Sequence, residues 1–196
     1  MTRFVFCRLI WDHQVESLRH FRMPGARWFD LHMGPEPGAP LGRKGRVLDA
    51  AWRQLRERDA MGMLILDGDV AIDPLDFAAM QSAIASDPLG VHVAPVRLWP
   101  QSTQQDNWAW AHWDEGHAMT QVSSDTPDRW SFCFTYVPRK VLNTASADGV
   151  MVGPRKRLRL AEWQFPTVDM KMNEVARNCG IKARIVSDCY PKHMHY

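Results

Sequence analysis

The sequence predicts an α/β domain with a mostly parallel central sheet flanked by helices, and three observations support that class. Apolar, β-prone stretches alternate with stretches of helical periodicity along the first half of the chain. A short apolar run over 61–66 stops at Asp67-Gly68-Asp69, as expected where a buried central strand reaches the carboxyl edge of a sheet. The 196 residues, of which 45% are hydrophobic, suffice for one domain with a sizeable core.

The first half of the chain predicts three strands and two helices. Apolar, β-prone residues mark the strands, and apolar residues three and four apart mark the helices. In order, the predicted elements are a strand over 4–11, a helix over 13–22, a strand over 26–31 that closes with Asp30, a Pro- and Gly-rich loop over 33–45, a helix over 46–58 and the central strand.

The second half continues the alternation. Asp73-Pro74 marks a helix start, because Asp is a favoured N-cap and Pro a favoured first helical residue. Pro95 cannot donate to a β-ladder, so its strand is expected near a sheet edge. The predicted elements are a helix over 74–86, strands over 90–98 and 130–137, a short helix through 142, a loop over 145–153, a helix from Pro166-Thr167 to Gly180 and a last strand over 181–187.

The carboxylates of Asp67 and Asp69 are the first candidate site. They lie one residue apart beside Gly68, which lets other backbone approach closely. Two such carboxylates can share a hard divalent cation and thereby hold a diphosphate. The alternative interpretation is a solvated turn at a strand end that binds no metal.

These residues resemble a known motif. A buried strand that ends in Asp-x-Asp and precedes a Pro-led helix resembles the metal-binding stretch of GT-A-fold glycosyltransferases, especially the family 2-like inverting group. Lys44-Gly45 stands where family members carry Lys-Gly, and Asp49 replaces an Asn that is frequent there. Asp30 stands where the family's second strand ends in a carboxylate that helps to hold the nucleotide base.

The resemblance also implies roles for residues late in the chain. Asp169 stands where the family places the base that takes the acceptor's proton, although Val168 replaces the usual Glu. The alternative is that Asp169 only offsets a helix dipole. A C-terminal His completes the metal site in many GT-A enzymes, and His193 and His195 are the candidates here. They point to opposite sides of an extended tail, so one reaches the metal, and His195 is preferred.

Two further stretches are candidate binding sites. Arg43 and Lys44 at a helix N-terminus can cradle a diphosphate, since the dipole and the cations both favour anions. A solvated basic helix start is the alternative. The polar stretch 100–129 contains Trp108, Trp110 and Trp113, whose rings can stack on a sugar or a base of the acceptor. The alternative is that these rings form a satellite core at the sheet edge.

Composition narrows the functional classes. The net charge of +2 is too small to indicate a polyanionic partner by itself, although the basic residues over 155–159 can meet a phosphorylated acceptor. Four scattered cysteines without CxxC spacing indicate reduced thiols, and no apolar run reaches the ~20 residues of a membrane span. A cytoplasmic protein is therefore expected.

The resemblance implies a single GT-A-like (Rossmann-like) domain over 1–196, with a nucleotide-sugar and metal half over 1–99 and an acceptor half over 100–196. The expected activity is transfer of a sugar from a nucleoside-diphosphate donor, aided by Mn²⁺ or Mg²⁺, to an acceptor such as modified DNA, another nucleic acid or protein. Two alternatives stay open. One is a haloacid-dehalogenase-like phosphatase, although that family has its Asp-x-Asp on the first strand and Thr or Val at the position of Ala71. The other is a nucleic-acid-binding module.

Overall fold

The strands at the centre of this protein are apolar on both faces, so both faces of their sheet must be covered. The computed structural model describes residues 3–11, 22–34, 43–55, 59–95, 97–98, 112–113, 119–120, 130, 132–149 and 168–193. Within these residues, helices cover both faces of a six-stranded sheet and bury two apolar clusters.

The described elements follow one another in the alternating order typical of the α/β class. In chain order they are β1 (Val5–Trp11), β2 (Phe29–Gly34), α1 (Arg43–Leu55), β3 (Gly62–Asp67), β4 (Val70–Ala71), α2 (Pro74–Ser86), β5 (Val91–Val93), β6 (Arg97–Leu98), β7 (His112–Trp113), β8 (Met119–Thr120), β9 (Phe134–Pro138), α3 (Arg139–Ala147), α4 (Val168–Asn178), β10 (Ala183–Ile185) and β11 (Lys192–His193).

The main sheet is mostly parallel, which confirms the predicted fold class. Its strands lie in the order β10-β5-β9-β3-β1-β2. β9 runs antiparallel to its neighbours β3 and β5, and the other five strands share one direction. Leu9 of β1 pairs with Asp67 of β3, so these two strands reach the carboxyl edge of the sheet side by side.

Residues of β3 alternate between two apolar clusters, one on each face of the sheet. Met63 and Ile65 pack in a cluster that α1, α3 and α4 complete, whereas Leu64 and Leu66 pack in a cluster that α2 completes. All four side chains are fully buried. Truncating any one of them to Ala is expected to cost about 2–5 kcal/mol, so β3 is held firmly and its carboxyl end is a rigid platform.

The helix after the Asp-x-Asp turn has the predicted bounds. Asp73 Oδ1 accepts hydrogen bonds from the backbone N–H groups of Leu75 at 2.7 Å and Asp76 at 2.9 Å. Asp76 Oδ2 accepts one from the backbone N–H of Asp73 at 3.0 Å, which closes a capping box. With Pro74 at the first helical position, these bonds fix where α2 begins.

Two strand predictions are wrong in their bounds. β2 runs on to Gly34, so Asp30 lies near its start and does not close it. The strand continues because its parallel register with β1 extends as far as Trp11. β5 ends at Val93, before Pro95, and lies between β9 and β10 in the interior of the sheet. Pro95 therefore lies beyond β5, which is shorter than the predicted strand over 90–98 and lies next to the edge strand β10.

Two helix predictions also differ from the structure. α1 begins at Arg43, inside the predicted loop. α3 extends through Ala147 into the next predicted loop, because Val141, Leu142 and Ala145 share a face that is buried in the core. Tertiary packing therefore sets the end of α3.

Several predicted features lie wholly or mostly outside the described residues. These are the helix over 13–22, most of the tryptophan-containing stretch and the basic residues over 155–159. Two short antiparallel strands, β7 and β8, belong to the tryptophan-containing stretch. Among the helices that the structure describes, none combines the length and the apolar character needed to cross a membrane.

Candidate functional site at the carboxyl edge of the sheet

Asp67 occupies the end of β3 and is held from two sides. Its backbone N–H donates to the carbonyl of Cys133 at 2.9 Å. The Lys44 ammonium lies 2.9 Å from Asp67 Oδ1 and donates a hydrogen bond to Oδ2 at 3.0 Å. Oδ1 is buried and accepts no well-aligned hydrogen bond of its own. This carboxylate is therefore ion-paired but has one oxygen with unused hydrogen-bonding capacity.

Lys44 brings a second carboxylate into the site. Its Nζ lies 4.0 Å from Oδ2 of Asp169, which is the second residue of α4. The ammonium also lies 5.3 Å from the centre of the Phe132 ring, within the range of a cation–π contact. The structure thus brings together three of the predicted site residues, Lys44, Asp67 and Asp169, from α1, β3 and α4.

The charges of this cluster depend on one another. Burial is the largest influence on the pKa of both Lys44 and Asp67, lowering the first and raising the second. Attraction to Asp169 and Asp67 outweighs burial for Lys44, so its pKa is raised overall. The ammonium lowers the pKa of Asp67, but burial together with repulsion from Asp69 and Asp169 leaves that pKa raised. The Lys44 charge is what allows these carboxylates to lie close together.

Asp169 is oriented by a hydrogen-bond network that sequence reasoning missed. Its Oδ2 accepts from the backbone N–H of Phe132 at 3.3 Å. Asn173, one turn later and buried, donates to the carbonyl of Asp169 at 2.7 Å and to that of Trp130 at 2.8 Å. Oδ1 of Asn173 accepts a hydrogen bond from the backbone N–H of Trp130 at 2.9 Å. The sequence signal was available, because a residue at i+4 from Asp169 shares its helix face.

Asp69 lies in the tight turn between β3 and β4, and the C-terminal tail runs beside that turn. β11 pairs antiparallel with β4, and its register places His193 opposite Val70, the residue after Asp69. The tail backbone therefore adjoins the Asp-x-Asp turn. His195 lies outside the described residues.

The donor set at this edge fits a hard divalent cation in part. Carboxylate oxygens suit Mg²⁺ and Mn²⁺, and Mg²⁺ is commonly held by one or two carboxylates together with substrate phosphates. Asp67 and Asp69 supply two such groups, one with an unused buried oxygen. Within the described ranges, no three His, Cys, Asp or Glu side chains are grouped closely enough to hold a metal. Further ligands must come from a bound phosphate or from elsewhere in the chain.

Asp30 is not part of this cluster. Its two carboxylate oxygens accept from Arg8 at 3.0 and 3.1 Å, and Arg22 lies 3.6 Å away. Arg8 is 1% exposed, and Asp30 is its counter-ion. Arg8 pairs with both Asp30 and Leu66, so Asp30 shares a sheet face with Leu66, and Asp67 points to the other face.

The remaining predicted residues are placed as follows. Arg43 is the first residue of α1, and its Nη1 donates to the carbonyl of Met33 at 2.9 Å, which ties the helix start to the end of β2. Trp113 belongs to β7 and pairs with Met119 of β8. Trp108 and Trp110 lie outside the described residues.

Comparisons with known proteins show a shared fold. No family model and no curated protein matches this chain. A crystal structure of A197 from STIV is similar with a TM-score of 0.60 and 13% identity, covering 100% of this chain and 87% of that one. A glycosyltransferase involved in the glycosylation of the major capsid of PBCV-1 gives a TM-score of 0.47 and 14% identity, covering 98% and 94%. At such identities the likeness to A197 concerns the fold alone.

Proposed function

We propose that this protein transfers a sugar from a nucleoside-diphosphate donor to an acceptor hydroxyl at the carboxyl edge of its sheet. The observation that carries the proposal is the convergence of Lys44, Asp67 and Asp169. Each was selected from the sequence for a separate role. The Lys44 ammonium lies within 4.0 Å of both carboxylates, although the three residues come from distant stretches of chain. In open α/β sheets this edge is where ligands bind.

The donor's diphosphate is the group that the site is suited to hold. Lys44 lies in the first turn of α1, next to Arg43, and that turn contains no acidic residue. The helix dipole and both cations therefore favour an anion at this position. Asp67 and Asp69, with His195 or His193 of the tail, are the proposed ligands of Mn²⁺ or Mg²⁺. Such a cation neutralises charge that develops on the leaving diphosphate.

Asp169 is the proposed base. Its carboxylate is 17% exposed, faces Lys44 and is held by the Phe132 N–H, so its position is fixed before an acceptor binds. From there it can take the proton of an acceptor hydroxyl as that oxygen attacks the sugar. Attack from the side opposite the diphosphate gives inversion at the sugar carbon.

The other proposed contacts are with the nucleotide base of the donor and with the acceptor. Asp30 remains the proposed partner of the nucleotide base, although in this structure it is engaged by Arg8 and Arg22. Trp108, Trp110 and Trp113 remain the proposed acceptor contacts. An acceptor that is a nucleic acid or a protein would supply a binding surface of its own.

The test is calorimetry with UDP and with GDP, each with and without Mn²⁺. Wild-type protein should bind one nucleotide in a metal-dependent manner, and Asp69→Asn should lose at least about tenfold of that affinity because the amide keeps the shape but not the charge. Asp59→Asn is the matched control. Asp59 is exposed near the amino end of β3 at a φ of 53°, a conformation that Asn tolerates. Unchanged nucleotide affinity in Asp69→Asn would refute the metal site.

A further inference from the structure

The Lys44 ammonium lies where a cation bound by Asp67 would lie. Both Asp67 oxygens are within 3.0 Å of Lys44 Nζ, and Oδ2 of Asp169 is 4.0 Å from it. The centroid of the Phe132 ring lies 5.3 Å from the same nitrogen. The Lys44 side chain is only 18% exposed. It is therefore enclosed by two carboxylates and an aromatic ring, as a bound cation would be.

A divalent cation and this ammonium compete for the same oxygens. Like charges a few ångströms apart repel strongly in a partly buried site, where the effective dielectric constant is well below that of water. Oδ1 of Asp67 is buried and lies 2.9 Å from Nζ, so a metal has little access to it while Lys44 stays in place. Metal binding at Asp67 thus requires the ammonium to move.

A diphosphate gives the ammonium a place to move to. Lysine is a compact point charge on a flexible four-carbon stem, and phosphate oxygens are among its preferred partners. Lys44 is near the N-terminus of α1, so a phosphate bound there lies within reach of a modest change of side-chain rotamer.

We propose that Lys44 is a resident cation that keeps divalent metal out of the site until a nucleoside diphosphate arrives. In the free protein it neutralises Asp67 and Asp169. When donor and metal bind together, it transfers to the diphosphate and leaves Asp67 to the metal. Metal and donor therefore bind with positive coupling, and by linkage each raises the affinity of the other by the same factor. This inference rests on the proposed function, because the diphosphate is the group that receives Lys44.

The experiment is calorimetric titration of Mn²⁺ alone, UDP alone and Mn²⁺ in the presence of saturating UDP. Lys44→Met should bind Mn²⁺ alone at least tenfold more tightly than wild type and UDP alone more weakly. Its Mn²⁺–UDP coupling should fall below that of wild type. Lys44→Arg keeps a cation and should show no gain in Mn²⁺ affinity. Lys182→Met, at an exposed position before β10, controls for the lost charge.

Each result bears on a definite part of the inference. Equal or weaker Mn²⁺ binding by a folded Lys44→Met, while wild type binds UDP with Mn²⁺, would overturn it and leave the proposed function standing. If Lys44→Met fails to fold, the inference is tested by the Mn²⁺–UDP coupling of wild type and by the Mn²⁺ affinity of Lys44→Arg. Wild-type coupling below threefold, or tighter Mn²⁺ binding by Lys44→Arg, would overturn the inference. Failure of wild type to bind UDP or GDP with Mn²⁺ would instead refute the proposed function, and competition between Lys44 and Mn²⁺ would still be measured.

Discussion

The Asp76 carboxylate joins the helix after the Asp-x-Asp turn to the C-terminal tail. Its Oδ1 accepts a 2.6 Å hydrogen bond from the backbone N–H of Tyr190, 114 residues further along the chain. Its Oδ2 closes the capping box with Asp73, and its backbone carbonyl accepts a contact from the Cys189 thiol at 3.4 Å. One buried side chain thus caps α2 and anchors the tail just before β11 passes the proposed metal site.

Asp76→Ala should therefore free the tail as well as weaken α2. The lost cap and the loss of the Asp76 acceptor for the part-buried N–H groups of Asp73 and Tyr190 should lower the free energy of unfolding by about 1–3 kcal/mol. Urea denaturation measures that loss of stability, and the rate of hydrogen exchange at the Tyr190 amide measures how readily the tail detaches from Asp76. Asp73→Ala is the control, since its side-chain oxygen accepts from Leu75 and Asp76 within the same capping box, whereas Asp76 also accepts from Tyr190 of the tail. Equal exchange at Tyr190 in both variants would show that Asp76 does not anchor the tail.

Deleting residues 193–196 should weaken Mn²⁺ binding in the presence of UDP more than it weakens folding. The deletion removes both proposed histidine ligands, and of the deleted residues the structure describes His193, which pairs opposite Val70 in the small sheet. Calorimetry measures the Mn²⁺ affinity in the presence of UDP, and thermal melting of the same preparations measures the stability of the fold. A shorter deletion of 194–196 keeps His193 and removes His195, the preferred ligand, so it should cost as much metal affinity as the longer one. Full metal affinity in both truncated proteins would refute a histidine ligand from the tail.

What the sequence predicts well here is local. The bounds of α2 follow from Asp73 and Pro74, whose capping preferences act within one turn. The end of β3 follows from an apolar run cut off by Asp67. The convergence of Lys44, Asp67 and Asp169 is also consistent with sequence reasoning, because parallel strands and the helices between them place their ends at common edges of the sheet.

What the sequence does not predict depends on contacts between distant segments. The antiparallel direction of β9 leaves no mark in its apolar pattern, since a strand buried on both faces looks alike in either direction. The ion pair between Asp30 and Arg8 is not predicted either, because nothing in the sequence reveals that Arg8 lies opposite Asp30 in the register of β1 and β2. The position of Asn173 one turn after Asp169 is visible in the sequence, but its bonds to Trp130, 43 residues away, are not.

His92 should make the protein less stable as the pH falls below about 6.5, the ordinary pKa of histidine. The ring is buried on β5, its Nε2 lies 2.7 Å from the carbonyl of Asp87, and it stacks on Tyr136. Burial lowers the pKa of His92, and nearby Arg184 lowers it further, against an opposing effect of Asp87. The unfolded chain then binds the proton more readily, so stability rises with pH between the folded and unfolded pKa values.

Thermal melting between pH 7.5 and 5.5 measures this dependence. His92→Gln keeps an N–H donor for the Asp87 carbonyl but does not titrate, so its melting temperature should fall less over the same range. A variant with the same slope as wild type would assign the acid sensitivity to other groups.

Asp169→Asn separates a catalytic base from a structural aspartate. The amide keeps an oxygen that can accept from the Phe132 N–H, and it leaves the backbone bonds of Asn173 in place. If Asp169 takes the acceptor's proton, donor affinity should stay within about twofold and transfer should fall by about 10²–10⁴-fold, the range typical of general base catalysis. A role limited to the helix dipole would cost under about 1 kcal/mol of stability and little rate.

The measurements are single-turnover transfer with a working donor and acceptor, calorimetry of the donor and a melting curve for each variant. Glu174→Gln is the matched control, because it removes one carboxylate from an exposed position of the same helix. It should transfer sugar at the wild-type rate. Asp169→Glu places the same chemistry one methylene further out, so partial rescue of the rate would support proton transfer by this side chain. An Asp169→Asn protein that melts lower yet transfers sugar near the wild-type rate would make the residue structural and leave the proposed reaction without a base.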